Sequence, residues 1–175
     1  MKPITEPKQI AHYSKLVTEM MLTQEGEECE FNSEWIRSHK WKVVPVESMA
    51  RIPQPDIPRL ISVLNEAGCH QCFAITTEPL GDMPTCYVLS VDEADFRELN
   101  RELGPFRFAL TDENRSWAIS CNEWYNLFAS EPELLEALLG KPIEQARQEY
   151  LTFASDLAKK PDEPLLQMAR RYAAL

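Results

Sequence analysis

Between Cys72 and Ala129 the chain offers five short runs rich in β-branched and aromatic residues, and three of the four links between them are too short for a helical crossover. The runs are Cys72–Thr77, Thr85–Val91, Phe106–Thr111, Trp117–Cys121 and Trp124–Ala129. A parallel strand pair needs a connection of about a dozen residues, whereas antiparallel strands join through a few. EPLGDMP separates the first two runs and DENRS the third and fourth, and both are turn-forming. Phe106–Thr111 and Trp117–Cys121 read as a β-hairpin. The expected fold is therefore α+β: a single antiparallel β-sheet packed with several helices, with N- and C-terminal helices flanking it.

The helices are legible from apolar residues recurring at three- and four-residue steps. Residues 7–24 place Ile10, Tyr13, Leu16, Val17, Met20 and Met21 on one face, with Pro7 in the first turn and Gly26 at the exit. Ser33, followed by an acid, suits the cap of a short helix. Lys42–Val46 suits a strand, and Pro45 confines it to a sheet edge. After the proline-rich connection 51–58, a helix over 57–67 turns Leu60, Ile61 and Leu64 inward and stops at Gly68. Asp92 caps a helix through Leu103 with Phe96, Leu99 and Leu103 inward, ended by Gly104. Residues 131–139 form a helix between Pro132 and Gly140. The next helix, 141–158, has Ile143, Ala146, Tyr150, Phe153, Ala154 and Leu157 as its inner stripe, and Pro161 breaks it. A last helix runs over 164–175. The whole reads as one domain: a helical and irregular part over 1–60, a sheet-containing core over 61–160 and a C-terminal helix over 161–175.

At 175 residues, 44% of them hydrophobic and 26% charged, the chain is long enough and apolar enough to bury one core. No run approaches the roughly 18 apolar residues of a membrane span, and the polar N-terminus lacks the apolar segment of a secretory signal. A cytoplasmic protein is expected, with its five cysteines reduced and no disulfide framework.

The net charge of −10 is unevenly distributed. Residues 61–140 hold fourteen acids against four bases, whereas 1–60 and 141–175 are close to neutral. Such a field repels nucleic acid and anionic lipid and attracts basic partners. An acidic surface also serves solubility alone.

Chemistry-bearing motifs are sparse. Cys69-His70-Gln71-Cys72 is a CxxC, but it follows a helix and precedes a strand. That reverses the order in which a helix dipole activates a redox thiol. Zinc needs four ligands, and no second CxxC or HxxxH is present. These cysteines read as small buried residues. His12, His39 and His70 lie in no recognisable hydrolase context, and no Gly-rich phosphate loop occurs. No catalytic residue, metal or cofactor is implied, although scattered carboxylates leave an enzyme without a local motif as an alternative.

Aromatic residues set among acids are the better candidates, because such a surface anchors a basic protein. One stretch holds Glu25, Glu27, Glu28 and Glu30, with Phe31 and Trp35 alongside. Trp35 and Trp41 bracket the basic Arg37, His39 and Lys40. The first turn of the 92–103 helix carries Asp92, Glu93 and Asp95, which also suit its macrodipole. Asp112 and Glu113 lie in the hairpin link. Glu123 precedes Trp124 and Tyr125, which point to opposite faces of a strand, so that one of them is free to face a partner. Trp117 reads as core.

From Cys72 to Phe153 the order of motifs resembles that of small bacterial immunity-type proteins associated with polymorphic toxins. A strand FAITTEP and a strand CYVLSVDEADF are followed by a helix. FRFALTDENRSWAISC, the aromatic strand YNLFA, the helix PELLEALLG and IEQARQEYLTFA complete the series. The resemblance implies a non-enzymatic inhibitor that neutralises a basic toxin domain, often a nuclease, by direct binding. It implies neither a nucleic-acid nor a membrane partner. A homo-oligomeric regulatory or interaction protein without enzymatic activity, such as a homodimer, is the alternative, motivated by Leu165, Leu166, Met168, Ala169, Tyr172 and Leu175, which suit docking on a second subunit or on their own domain.

Overall fold

A computed structural model describes residues 1–22, 29–48, 51–78, 81, 83–160 and 163–173. The chain is α+β. Nine strands, β1 (Lys2–Pro3), β2 (Met21–Leu22), β3 (Glu30–Phe31), β4 (Lys42–Glu47), β5 (Gln71–Thr76), β6 (Cys86–Ser90), β7 (Phe108–Thr111), β8 (Trp117–Cys121) and β9 (Tyr125–Ser130), are found among the described residues. The helices are α1 (Pro7–Met20), α2 (Ser33–Ser38), α3 (Ile57–Glu66), α4 (Glu93–Glu102), α5 (Pro132–Leu139), α6 (Ile143–Leu157) and α7 (Pro164–Ala173). Seven strands form one antiparallel sheet in the order β1-β6-β5-β7-β8-β9-β4, and β2 pairs with β3 separately.

The registers explain why the sheet is buried on both sides. Tyr87, Ala74, Leu110, Ile119, Phe128 and Val44 are successive cross-strand partners, and all belong to the core beneath α3, α4 and α5. One residue along, Phe73, Ala118, Ala129 and Val43 point to the other face, into the core shared with α1, α2 and α7. Successive side chains alternate faces, so one register serves both cores at once. Every residue of β7, β8 and β9 is consequently buried, and Trp117 is fully enclosed. α6 begins in the first core with Ile143 and Ala146, passes along β4, and ends in the second with Tyr150 and Ala154.

Residues 1–60 supply both edges of the sheet. β4 is the edge strand that Pro45 foretells, and it runs antiparallel to β9. α6 covers it, and Arg147 Nη2 donates to the Val43 carbonyl at 3.2 Å. The opposite edge, β1, is two residues long and contains Pro3. Short, proline-bearing or covered edges resist pairing with a second sheet.

Several expectations shift. α1 ends at Met20 rather than residue 24, because Met21 and Leu22 extend to pair with Phe31 and Glu30. Asn32, not Ser33, caps α2, its Oδ1 accepting from the Glu34 amide at 2.9 Å. Leu157 is not part of the inner stripe of α6: it is 53% exposed, while the aliphatic stem of Arg147 is buried in its helix. The apolar face of α7 is covered by its own domain, with Leu166, Met168, Ala169 and Tyr172 buried in the second core. Gly26, Pro161 and Leu175 lie outside the described residues. Gly140 ends α5 at φ 69°, and a Cβ there would sit 2.7 Å from Arg59 Cδ, so glycine is needed both for the turn and for that side chain's passage.

A buried polar clamp ties the connection after β4 to α4. Asn100 accepts from the Ile52 amide at 3.0 Å and donates to its carbonyl at 2.7 Å, while Asn126 Nδ2 donates to the Arg51 carbonyl at 2.7 Å. Replacing Asn100 by Ala orphans two buried backbone groups, each worth roughly 1–3 kcal/mol. Asn100→Ala is expected to lower unfolding stability by about 3 kcal/mol in urea titration, with an unchanged m-value.

Candidate protein-interaction site

The residues singled out from sequence fall at both ends of the sheet. The ends of β6 and β7 and the start of β8 share one end, with Asp92, Glu93, Asp95, Asp112 and Glu113. The β8–β9 turn, with Glu123 and Trp124, lies at the other. Glu25, Glu27 and Glu28 lie outside the described residues.

Three of the acids hold the fold together. Asp92 is the N-cap of α4, accepting from the Asp95 amide at 2.9 Å. Asp112 is buried and accepts from the Ser116 amide and hydroxyl at 2.8 and 2.9 Å, fixing the β7–β8 turn. Asp95 accepts from the Ser90 amide at 2.7 Å and from the Met1 ammonium, which also donates to Glu98 at 2.9 Å. Burial works against the Asp95 carboxylate, but those donors outweigh it and hold its pKa below the ordinary value. Glu93 is exposed and pairs with Arg97 within α4, and Glu113 lies 3.6 Å from His12.

The opposite end of the sheet carries an apolar patch. One of the pair is exposed, though not by strand alternation: Trp124, 50% exposed, lies in the bend before β9, whose residues from Tyr125 onward are buried on both faces. Trp124, Tyr125, Leu157, Pro164, Leu165 and Met168 line a groove of about 460 Å³, with Glu30, Gln167 and Arg171 at its rim. Glu30 and Arg171 form an ion pair across it. Leu22, 52% exposed, is the cross-strand partner of Glu30. Two of the three exposed large hydrophobic residues among those described, Trp124 and Leu157, thus line one groove. The site rests on buried polar contacts that the sequence alone did not reveal. Ser120 donates to the Cys29 carbonyl at 2.7 Å, and Asn122 Oδ1 accepts from the Cys29 amide at 2.9 Å, locking β3 beside the β8–β9 turn.

A cleft of about 400 Å³ at the first end is lined by Tyr13, Cys69, His70, Gln71, Asp112 and Glu113, among others. His70 Nδ1 is within 2.7 Å of Asn65 Oδ1, and the Cys69 thiol donates to the Gln71 carbonyl at 3.4 Å. All five cysteines are buried, and none is in a disulfide. Burial pushes the Cys69 and Cys72 thiols up and that of Cys86 up to about 12. The basic patch near Trp35 is an aromatic stack: His39 lies 3.7 Å from the Trp35 ring, and the Arg115 guanidinium covers it at 4.6 Å.

The larger electrostatic feature is a difference between the two helical layers. Taken with the residue before each helix, α3, α4 and α5 carry ten carboxylates against three arginines. Counted the same way, α1, α2, α6 and α7 carry seven acids against six bases. Most of the charge excess of residues 61–140 therefore lies on these three helices, and the remainder lies in the links between strands. Comparison with known proteins returns no match: no family model and no curated protein matches the sequence, and no solved structure matches the fold. Among the described residues, no helix is long and apolar enough to cross a membrane.

Two measurements check this picture. Asp95, with its pKa held low, contributes stability above the ordinary aspartate value of 3.8 that is lost as pH falls through its depressed folded value. Wild type is expected to melt above Asp95→Asn at pH 7, and the gap should close in acid. With their thiols buried and their pKa values raised, Cys69, Cys72 and Cys86 are expected to resist alkylation at pH 8 until the protein is unfolded, as read by mass spectrometry.

Proposed function

We propose that the protein is an acidic binding module that neutralises a basic toxin domain by direct contact, with the outer face of α3, α4 and α5 as the electrostatic docking surface. The observation that carries this reading is the charge difference between the layers: ten carboxylates against three arginines on one, near balance on the other. A chain needing acids only for solubility has no reason to segregate them by face. Segregation produces a directional potential, which steers a positively charged protein and repels polyanions. Glu93, Glu133 and Glu136 are exposed on this face, Glu136 also accepting from the Ile143 amide at 3.1 Å, and their outward carboxylates are suited to meet the lysines and arginines with which a nuclease holds phosphate. The resemblance of residues 72–153 to immunity-type proteins supports the same reading.

This moves the partner-binding residues. Glu93 stays in the surface, Asp92 and Asp95 contribute charge from structural positions, and Glu30, Glu123 and Trp124 belong to the separate apolar patch. Capture from the native host at low salt is expected to recover one stoichiometric protein of basic pI. The combined variant Glu93→Lys, Glu133→Lys, Glu136→Lys is expected to weaken that capture by at least about 10-fold, chiefly through the association rate. Recovery of an acidic or neutral protein, or capture indifferent to the triple reversal, contradicts the reading.

A further inference from the structure

Where α6 leaves the first core for the second, beside β4, the interior is not filled. A cavity of about 250 Å³ opens there, lined at depth by Phe128, Leu139, Ala146 and Tyr150 and nearer the surface by Val46 and Phe153. The four deep residues are core side chains, each at most 5% exposed. Interiors are close-packed, with few voids larger than a water molecule, so a space of this size within reach of solvent is a departure from ordinary packing. Ala146 is the smallest residue of the lining and leaves room that a larger side chain would take. The volume lies just below the roughly 300–1,000 Å³ of drug-sized pockets, which suits a small occupant.

The charged residues of the lining are Glu47, Asp56, Arg59, Lys141 and Glu149. Two ion pairs form among them. Arg59 Nη2 lies 2.8 Å from Asp56 Oδ1, and Lys141 Nζ donates to Glu149 Oε2 at 2.7 Å. Arg59 Nε also donates to the Leu138 carbonyl at 3.0 Å. These contacts hold the two cations in place without exhausting them, because a guanidinium has five N–H donors and an ammonium three. Among the described residues Arg59 Nη1 has no hydrogen-bond partner, and neither does the Glu47 carboxylate. Donors on fixed cations and an unpaired carboxylate therefore share one cavity with apolar and aromatic walls. The complementary ligand carries an anionic group, a cationic group and a compact apolar body. We propose that this cavity binds a free α-amino acid with an apolar side chain, its carboxylate on Arg59 and Lys141, its ammonium on Glu47 and its side chain against Phe128, Tyr150 and Phe153. The site is separate from Glu93, Glu133 and Glu136 and does not rest on the acidic-face reading.

Ligand-observed NMR titration of the full chain with L-leucine and L-phenylalanine tests this. At least one of the two is expected to bind with a Kd below about 1 mM. The amide of that amino acid lacks the carboxylate, and its analogue without the amino group lacks the ammonium. Each is expected to bind at least about 10-fold more weakly, since a charged hydrogen bond is lost in either case. Ala146→Leu fills the cavity and is expected to abolish binding while the melting temperature holds or rises. Glu47→Gln alters an exposed position and should erase the preference over the analogue without the amino group. Lys141→Met should reduce the preference over the amide. The proposal is overturned if neither amino acid binds at concentrations up to about 10 mM, well above that Kd. It is equally overturned if the amide or the analogue without the amino group binds as tightly as the amino acid, or if Glu47→Gln leaves that discrimination intact. Reversing Glu93, Glu133 and Glu136 should leave the affinity unchanged, which separates failure of this site from failure of the acidic-face reading.

Discussion

Burial of both faces of an antiparallel sheet is the constraint on which the rest of this molecule depends. Antiparallel sheets commonly keep one face in water. Here a single register must place Ala74, Leu110, Ile119 and Phe128 in one core and Ala118, Leu127 and Ala129 in the other. A slip of one residue would exchange the two sets, forcing Phe128 and Ile119 into space shaped for alanines. The doubly covered sheet also requires that its edges be closed. Arg147 over Val43, Pro45 in β4 and the brief β1 accomplish that.

With helices on both faces, the surface divides into two layers of different composition. The α3–α4–α5 layer is amphipathic in the ordinary way, and among its charged residues carboxylates outnumber arginines. The other layer mixes signs and leaves Trp124, Leu157 and Leu22 exposed. Buried contacts from Ser120 and Asn122 to Cys29 tie β3 to the β8–β9 turn beside the patch.

Much of the fold was legible in the sequence because its signals are local. Gly68 and Gly140 at positive φ, Pro132 at a helix start and the Phe108–Cys121 hairpin each carry their own chemistry. The two-residue strands β1, β2 and β3 have no periodicity to read, and their pairing depends on distant partners. Leu157 fits the helical stripe but sits where α6 has run past the sheet, so periodicity assigned it to the core wrongly. The candidate site was less legible, for a physical reason. Short carboxylates are selected for caps and turns as well as for surface charge, and Asp92 caps α4 while Asp112 holds the β7–β8 turn. Counting acids along the chain finds the excess but not the face. The face emerges only when α3, α4 and α5, separated in sequence by strands, are brought onto one side of the sheet.

The central claim is that the segregated negative charge steers a basic protein onto the α3–α5 face. The most direct measurement is the association rate constant with the natural partner as a function of ionic strength, by stopped flow. Long-range attraction is screened over a Debye length of about 8 Å at physiological salt. The rate is expected to fall by about 10-fold or more as salt is raised from low to high, while the dissociation rate changes little. An association rate that stays flat with salt, or rises, would contradict the account.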